Sequence, residues 1–272
     1  MTKDDLGMAI TWADAEGWNP GDCDTATFFQ TDNKGFFLGL VDDEPAACIS
    51  AVSYGGEFGF IGFYIVRPEF RGNGYGLRMW NHAMSYMGQR NVGLDGVVTQ
   101  EANYRKSGFT LAYRNIRFEG LAARQFRTYL NVVSLSKVQF GAVAAYDDKL
   151  FPASRPRFLN LWITEPAHIC LAVIDSGQLS GFGVMRPCRK GYKIGPLYAD
   201  NSEFAEILFS SLISHVPGEF VYLDTPEINP EAVRLAEKYG MTKVFETVRM
   251  YSKKEPKIEI KKLFGVTSFE LG

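Results

Sequence analysis

Residues 61–89 read I-G-F-Y-I-V-R-P-E-F-R-G-N-G-Y-G-L-R-M-W-N-H-A-M-S-Y-M-G-Q. An apolar run ends at Val66, and a short turn containing Pro68 follows. Arg71, Gly72, Asn73, Gly74, Tyr75 and Gly76 then open a helix whose apolar positions (Leu77, Trp80, Ala83, Met84 and Met87) recur at threes and fours. Strand, glycine-rich turn and helix N-terminus together make an anion site. The N–H groups there lack intrahelical partners, and the helix dipole favours negative charge. Glycines let the backbone come close to a phosphate, because no Cβ intervenes.

Upstream, residues 35–41 and 46–54 read as a strand hairpin around the turn at Asp42, Asp43, Glu44 and Pro45. Two helices precede it, over residues 4–16 with Asp4 or Asp5 as cap, and over residues 24–29. Downstream come a strand over 94–99 that Asp95 opens, a short helix over 102–107 ended by Gly108, and a strand over 109–119. The glycine loop thus follows a third consecutive strand. A dinucleotide-binding domain places its fingerprint after the first strand, with a third glycine that Leu77–Met79 does not supply, and no GxxxxGK[ST] is present.

The chain then repeats. Lys106, Ser107, Gly108, Phe109 and Thr110 match Lys238, Tyr239, Gly240, Met241 and Thr242, and Arg117 and Phe118 match Arg249 and Met250, all at an offset of 132. Two similar units suit a chain of 272 residues. The expected architecture is α/β, an α+β mixed sheet in two tandem units. The first spans 1–125, the second 140–252, and a C-terminal extension 253–272 has an apolar end that packs back on a domain. Residues 120–138 read as a connecting helix or strand. At the same offset, Arg71, Gly72, Gly74 and Gly76 meet Glu203, Phe204, Glu206 and Leu208, and Tyr104 meets Ala236, so the second unit reads as degenerate.

The net charge of −2 gives no pull toward nucleic acid or an anionic membrane. Cys23, Cys48, Cys170 and Cys188 lie far apart and form no CxxC, and the three histidines form no metal-binding pair. Buried thiols in a reducing compartment, a polar N-terminus and no membrane-length apolar run imply a cytoplasmic protein without a metal.

Arg71 to Gly76 resembles the (Gln/Arg)-x-x-Gly-x-(Gly/Ala) acyl-CoA motif of the GNAT N-acetyltransferase superfamily. Val66 to Phe70 is similar to the family's lead-in, and Tyr104 to Phe109 to its Tyr-x-x-x-Gly-Phe segment. The second half resembles a diverged copy. Gly17 to Pro20 and the closing Ser268 to Gly272 are similar to YitH-like tandem acetyltransferases. The resemblance implies that acetyl-CoA, or another acyl-CoA, binds through its diphosphate at Arg71, Gly72, Asn73, Gly74, Tyr75 and Gly76. Its pantetheine would pair with the backbone of Ile65 and Val66. Tyr104 would protonate the departing thiolate; a phenol suits this, being a donor that is neutral at pH 7. The acceptor would be a primary amine, most readily a small molecule. The strand before the loop holds no carboxylate over residues 60–64 to serve as the family's glutamate base. Glu57, upstream, and Tyr64 are the candidate substrate-side residues, with a water chain as the alternative base. A non-catalytic acyl-CoA-binding module is the alternative function. The sequence leaves the oligomeric state open.

Overall fold

The computed structural model describes residues 1–122 and 129–272. The middle of the expected connector, residues 123–128, lies outside them.

The first half follows the expected order. It runs α1 (Lys3–Ala15), α2 (Asp24–Thr31), β1 (Phe36–Val41), β2 (Glu44–Tyr54), β3 (Phe58–Val66), α3 (Tyr75–Met87), β4 (Asn91–Val97), α4 (Glu101–Lys106) and β5 (Thr110–Leu121). Thr2, not Asp4 or Asp5, caps α1. Its hydroxyl accepts from the Asp5 N–H, and the Asp5 carboxylate accepts from the Thr2 N–H. β4 begins three residues earlier than its apolar pattern indicates, so Asp95 sits inside the strand. On α3 the buried stripe is Trp80, Ala83 and Met87, whereas Leu77 in the first turn is 62% exposed.

The second half contains β6 (Val132–Ser134), α5 (Phe140–Asp147), α6 (Pro156–Thr164), β7 (Ile169–Asp175), β8 (Gln178–Pro187), β9 (Tyr192–Ala199), α7 (Ser202–Ile213), β10 (Phe220–Pro226), α8 (Pro230–Lys238), β11 (Thr242–Tyr251) and β12 (Leu263–Gly265). The twelve strands of the described residues join one mixed sheet in the order β1-β2-β3-β4-β11-β5-β10-β9-β8-β7-β6, with β12 on β9. In each half a helix, α3 or α7, crosses over between two parallel strands.

The halves exchange strands. β11 lies between β4 and β5, and β5 lies between β11 and β10. The central β5–β11 pair runs antiparallel from Thr110↔Tyr251 to Glu119↔Thr242. Thr110 and Thr242 are repeat equivalents, as are Glu119 and Tyr251, so the two end pairs are equivalent and a pseudo-twofold axis passes between them. The exchange leaves neither half with an exposed inner edge. It also carries one arginine into each half. Arg249 on β11 makes a bidentate pair with Asp95 on β4 (2.8 and 2.6 Å), and Arg117 on β5 makes one with Asp224 on β10 (2.7 and 2.7 Å). All four side chains are buried.

The 132 offset holds for the β5–β11 segments but not across the glycine loop: it is 133 between the last paired residues Ile61 on β3 and Ile194 on β9, and 129 between Leu94 on β4 and Leu223 on β10. Eight residues, 67–74, separate β3 from α3, but two, 200–201, separate β9 from α7. Glu203 and Glu206 therefore stand on a helix, not on an altered glycine loop. The Asn201 side chain caps that helix by accepting from the Phe204 N–H at 2.9 Å.

The C-terminal segment is interior. Phe264, Val266, Phe269 and Leu271 are buried. It enters the sheet as β12 and ends with Arg155 donating to the Gly272 carbonyl at 3.0 Å. All four cysteines are free thiols. No helix among the described residues is long and apolar enough to cross a membrane.

Candidate active site

Two parallel strands that part company form the site. β3 and β4 are paired from Phe58↔Asn91 to Ile61↔Leu94, after which both continue without pairing each other. β3 is turned away by a bulge. Between the pairs Cys48↔Ile65 and Ser50↔Gly62, two residues lie on β3 against one on β2. Phe63 in the bulge has φ +44°, a conformation that a non-glycine residue adopts at a cost of roughly 1–3 kcal/mol. Ser50 Oγ accepts from the Gly62 N–H at 3.0 Å, so this irregular backbone remains bonded.

The opening between the strands is a cavity of about 500 Å³. Residues 61–66 and 94–97 form its walls, and Tyr104 its side. Phe245 and Thr247 reach it from β11, and Phe269 and Glu270 from the C-terminal segment. The second half therefore completes a cavity that opens in the first.

The glycine loop lies at the end of β3. Gly72 and Gly74 have φ of +81° and +78°, with nothing near where a Cβ would be, so they serve the backbone turn, not close packing. Gly74 is the N-cap of α3. Among the described residues nothing accepts from the N–H groups of Gly72, Asn73, Gly74 and Tyr75. The loop is held from its flanks: Arg71 Nε donates to the Val66 carbonyl at 2.8 Å, its guanidinium pairs with Glu16, and Asn73 Nδ2 donates to the Arg71 carbonyl at 3.2 Å. Gly76 has a different role, since a Cβ there would lie 2.9 Å from the Tyr64 hydroxyl. Arg78 is exposed and forms no ion pair among the described residues, whereas Arg67 pairs with Glu44 and Glu69.

Tyr104 lies on Gly96, where a Cβ would come within 2.2 Å of the ring. Trp80 holds both tyrosines of the cavity, its ring 5.6 Å from that of Tyr64 and 5.6 Å from that of Tyr104. No described residue hydrogen-bonds the Tyr104 hydroxyl. Burial, with Tyr64 nearby, pushes its phenol well above the usual range, so it stays protonated.

The structure brings Ile65, Val66, Arg71, Tyr64 and Tyr104 to one cavity, with the residue 72–76 loop following β3. Glu57 lies apart: it is exposed in the turn before β3, at the other end of that strand, where its carbonyl accepts from the Asn91 N–H. Sequence reasoning did not anticipate Phe245, Thr247, Phe269 and Glu270, which arrive from far along the chain. The one sequence signal was the apolar character of the closing residues. Asp95, at the cavity wall, is tied to Arg249 and Asn115.

The equivalent opening in the second half is filled. β9 and β10 pair until Ile194↔Leu223 and then part. β12 enters between them, pairing Leu263 with Tyr198 and Gly265 with Leu197 on β9, and the Val266 N–H reaches the Asp224 carbonyl on β10 at 2.8 Å. The chain's own backbone occupies the parted edge, and only residues 200–201 precede α7, with no glycine loop.

A model described as "Acetyltransferase (GNAT) family" matches residues 7–109, and one described as "Acetyltransferase (GNAT) domain" matches residues 143–265. The chain is 36% identical over 262 residues to the holothin acyltransferase of a Pseudoalteromonas strain, covering 96% of this chain and 89% of that protein. It is 24% identical over 245 residues to YitH of Bacillus subtilis, an uncharacterised N-acetyltransferase, covering 88% and 86%. A crystal structure of a candidate acetyltransferase from Pyrococcus horikoshii shares the fold, with a TM-score of 0.85 at 22% identity over 100% of this chain and 94% of that one. The chain belongs to the GNAT acetyltransferase family and is an acyltransferase with two such domains in tandem.

Proposed function

We propose that the protein moves an acetyl group from acetyl-CoA to the primary amine of a small molecule, in the cytoplasm, with the first half holding the donor. One observation carries this reading. A parted strand edge and a protonated tyrosine line one cavity, and the strand that walls it runs on into a loop with unsatisfied N–H groups.

The diphosphate of CoA would accept from the N–H groups of residues 72–76 at the N-terminus of α3, where the dipole also favours it. Arg71 is held by Glu16 and Val66, which favours a positioning role for it over a free cation. The pantetheine amides would pair with the β3 edge at Ile65 and Val66, placing the thioester near the bulge. Backbone N–H groups there would polarise the carbonyl. The amine nitrogen attacks the carbonyl carbon, the C–N bond forms as one N–H proton leaves, finally to water, the C–S bond breaks, and Tyr104 gives its proton to the departing sulfur and regains one from solvent. Holding both partners in one cavity supplies the proximity.

A cavity walled by the second half and the C-terminal segment favours a small acceptor over a protein side chain. The relative named for holothin points the same way. Four free thiols favour a reducing compartment. Isothermal titration of acetyl-CoA into the full chain tests the reading, with one equivalent expected; no binding would overturn it. Thiol release over a panel of amines, with Tyr104→Phe as control, tests the transfer.

A further inference from the structure

Strand β3 lacks the carboxylate expected of a base, yet a carboxylate lies beside it. The C-terminal segment crosses β3 at Gly62, the first residue beyond the last β3–β4 pair. A Cβ on Gly62 would lie 2.1 Å from the Glu270 carbonyl oxygen, so this glycine is what lets the segment pass. Glu270 is 3% exposed and lines the cavity. Its Oε2 is buried and accepts no hydrogen bond. Three carboxylates line the cavity. Glu16 is paired with Arg71 and Asp95 with Arg249, but Glu270 has no ion-pair partner among the described residues. A buried carboxylate oxygen without a donor is costly to keep, and calls for a partner that the protein does not itself supply.

We propose that Glu270 is a catalytic residue that receives the acceptor's amino group and takes its proton, and that the acceptor is a small primary amine carrying an aromatic ring. The inference rests on the acyl-transfer reading above. Trp18, Phe245 and Phe269 line the same cavity and provide flat apolar walls. Tyr104 and Glu270 then divide the proton traffic. As the nitrogen lone pair forms the C–N bond, one N–H proton passes to the Glu270 carboxylate. As the C–S bond breaks, the Tyr104 proton passes to sulfur. Solvent exchange restores both groups, so the net change is one proton from nitrogen to sulfur. If the amine arrives as an ammonium, it first gives up a further proton, for which the carboxylate is also the route.

Other charges near Glu270 are engaged. Arg117 on β5 is held by Asp224 on β10, and Lys193 on β9 donates to the carbonyls of Trp18 and Asn19. Asp95 on β4 is held by Arg249 on β11, and Glu16 at the end of α1 by Arg71.

The test uses the full chain with acetyl-CoA and phenethylamine, following thiol release against pH. Glu270→Gln is expected to lower kcat by about 100-fold or more, the scale of general-base catalysis, and to lose the acidic limb of the wild-type profile. Its acetyl-CoA affinity should stay within about twofold of wild type, since the CoA contacts lie elsewhere. Should Glu270→Gln not fold, Glu270→Asp serves: it should keep the acidic limb at lower kcat. A Gln variant with wild-type kcat and pH profile overturns the inference, as does an Asp variant that loses the limb. A wild type that binds acetyl-CoA but does not acetylate phenethylamine overturns it too, leaving the donor-site reading intact. A wild type that does not bind acetyl-CoA overturns both.

Discussion

The sheet contains two equivalent clefts, and one segment of chain passes both. In each, a pair of parallel strands opens after a matching pair, Ile61↔Leu94 in the first half and Ile194↔Leu223 in the second. In each, the next residue is a glycine over which the C-terminal segment passes. A Cβ on Gly195 would lie 2.4 Å from the Val266 carbonyl oxygen, as one on Gly62 would lie 2.1 Å from that of Glu270. At the second cleft the segment enters as β12 and fills the parted edge. At the first it lies to one side, and a cavity remains. A parted edge needs hydrogen-bond partners. The second half supplies them from its own chain, and the first leaves its edge open to the cavity, where the proposed donor would supply them.

The sharpest way to break this comparison is to spoil the first loop. Gly74→Glu brings a carboxylate to the place proposed for a diphosphate and a Cβ to φ +78°. Repulsion of like charge should weaken acetyl-CoA by about 100-fold or more in isothermal titration. Residual binding at wild-type strength would place the donor elsewhere. Next in size is Tyr104→Phe, which gives the first half a side chain as unable to donate as the Ala236 of the second. It should lower kcat about 100-fold while leaving acetyl-CoA affinity unchanged. Because burial raises the Tyr104 phenol, wild-type turnover should not fall across the alkaline range where an ordinary tyrosine begins to ionise. A fall there that Tyr104→Phe abolishes would contradict this.

The clefts also mark what the sequence could tell. Period and punctuation are local, so the first half's order and the glycine loop were legible. The duplication was legible from Arg117 and Arg249, but not its consequence. Whether a strand pairs within its own half or the other depends on long-range partners, such as the Asp95 that Arg249 finds. The same limit hid half of the cavity. Phe245, Thr247 and Glu270 are distant from the glycine loop in the chain, and no spacing rule links them. A constant offset also concealed a deletion. Carried back from the match of Lys106 to Thr110, the offset set the first turns of α7 against the glycine loop and gave Glu203 for Arg71, although the loop itself is missing between β9 and α7.

The exchanged arginines allow a test of intermediate size. Asp95→Asn and Asp224→Asn each leave a buried guanidinium short of its charge partner, and breaking such a pair costs about 3–5 kcal/mol. Denaturant unfolding should show a loss on this scale for both. The surroundings of the two carboxyls differ. Burial pushes the Asp95 carboxyl up in spite of Arg249. At Asp224, burial acts the same way but Arg117 outweighs it, with Lys193 and Arg186 near, and the carboxyl ends below its usual range. Asp224→Asn should therefore cost more than Asp95→Asn at neutral pH. The reverse order would mean that the cations of the second cleft do not act on Asp224.

The smallest effect concerns Lys193, which holds on β9 the place that Phe60 holds on β3, one residue before the last parallel pair. It is buried and bonded to backbone carbonyls, without an ion-pair partner among the described residues. Burial, aided by Arg117, pulls its ammonium down to about 8 from an ordinary 10.5. Below pH 8 folded and unfolded chains both carry the proton, and the cost of an interior charge is felt in full. Between about 8 and 10.5 the unfolded chain binds the proton and the folded chain does not, so this residue makes stability rise with pH. Lys193→Met removes that term. The difference in unfolding midpoint between the variant and wild type should shift in favour of wild type across that window and be level below it. A difference that stays level across the window would mean that the lysine is charged throughout, held by Glu270 as a distant counter-ion. The carboxylate of the first cleft would then already be engaged electrostatically from the second.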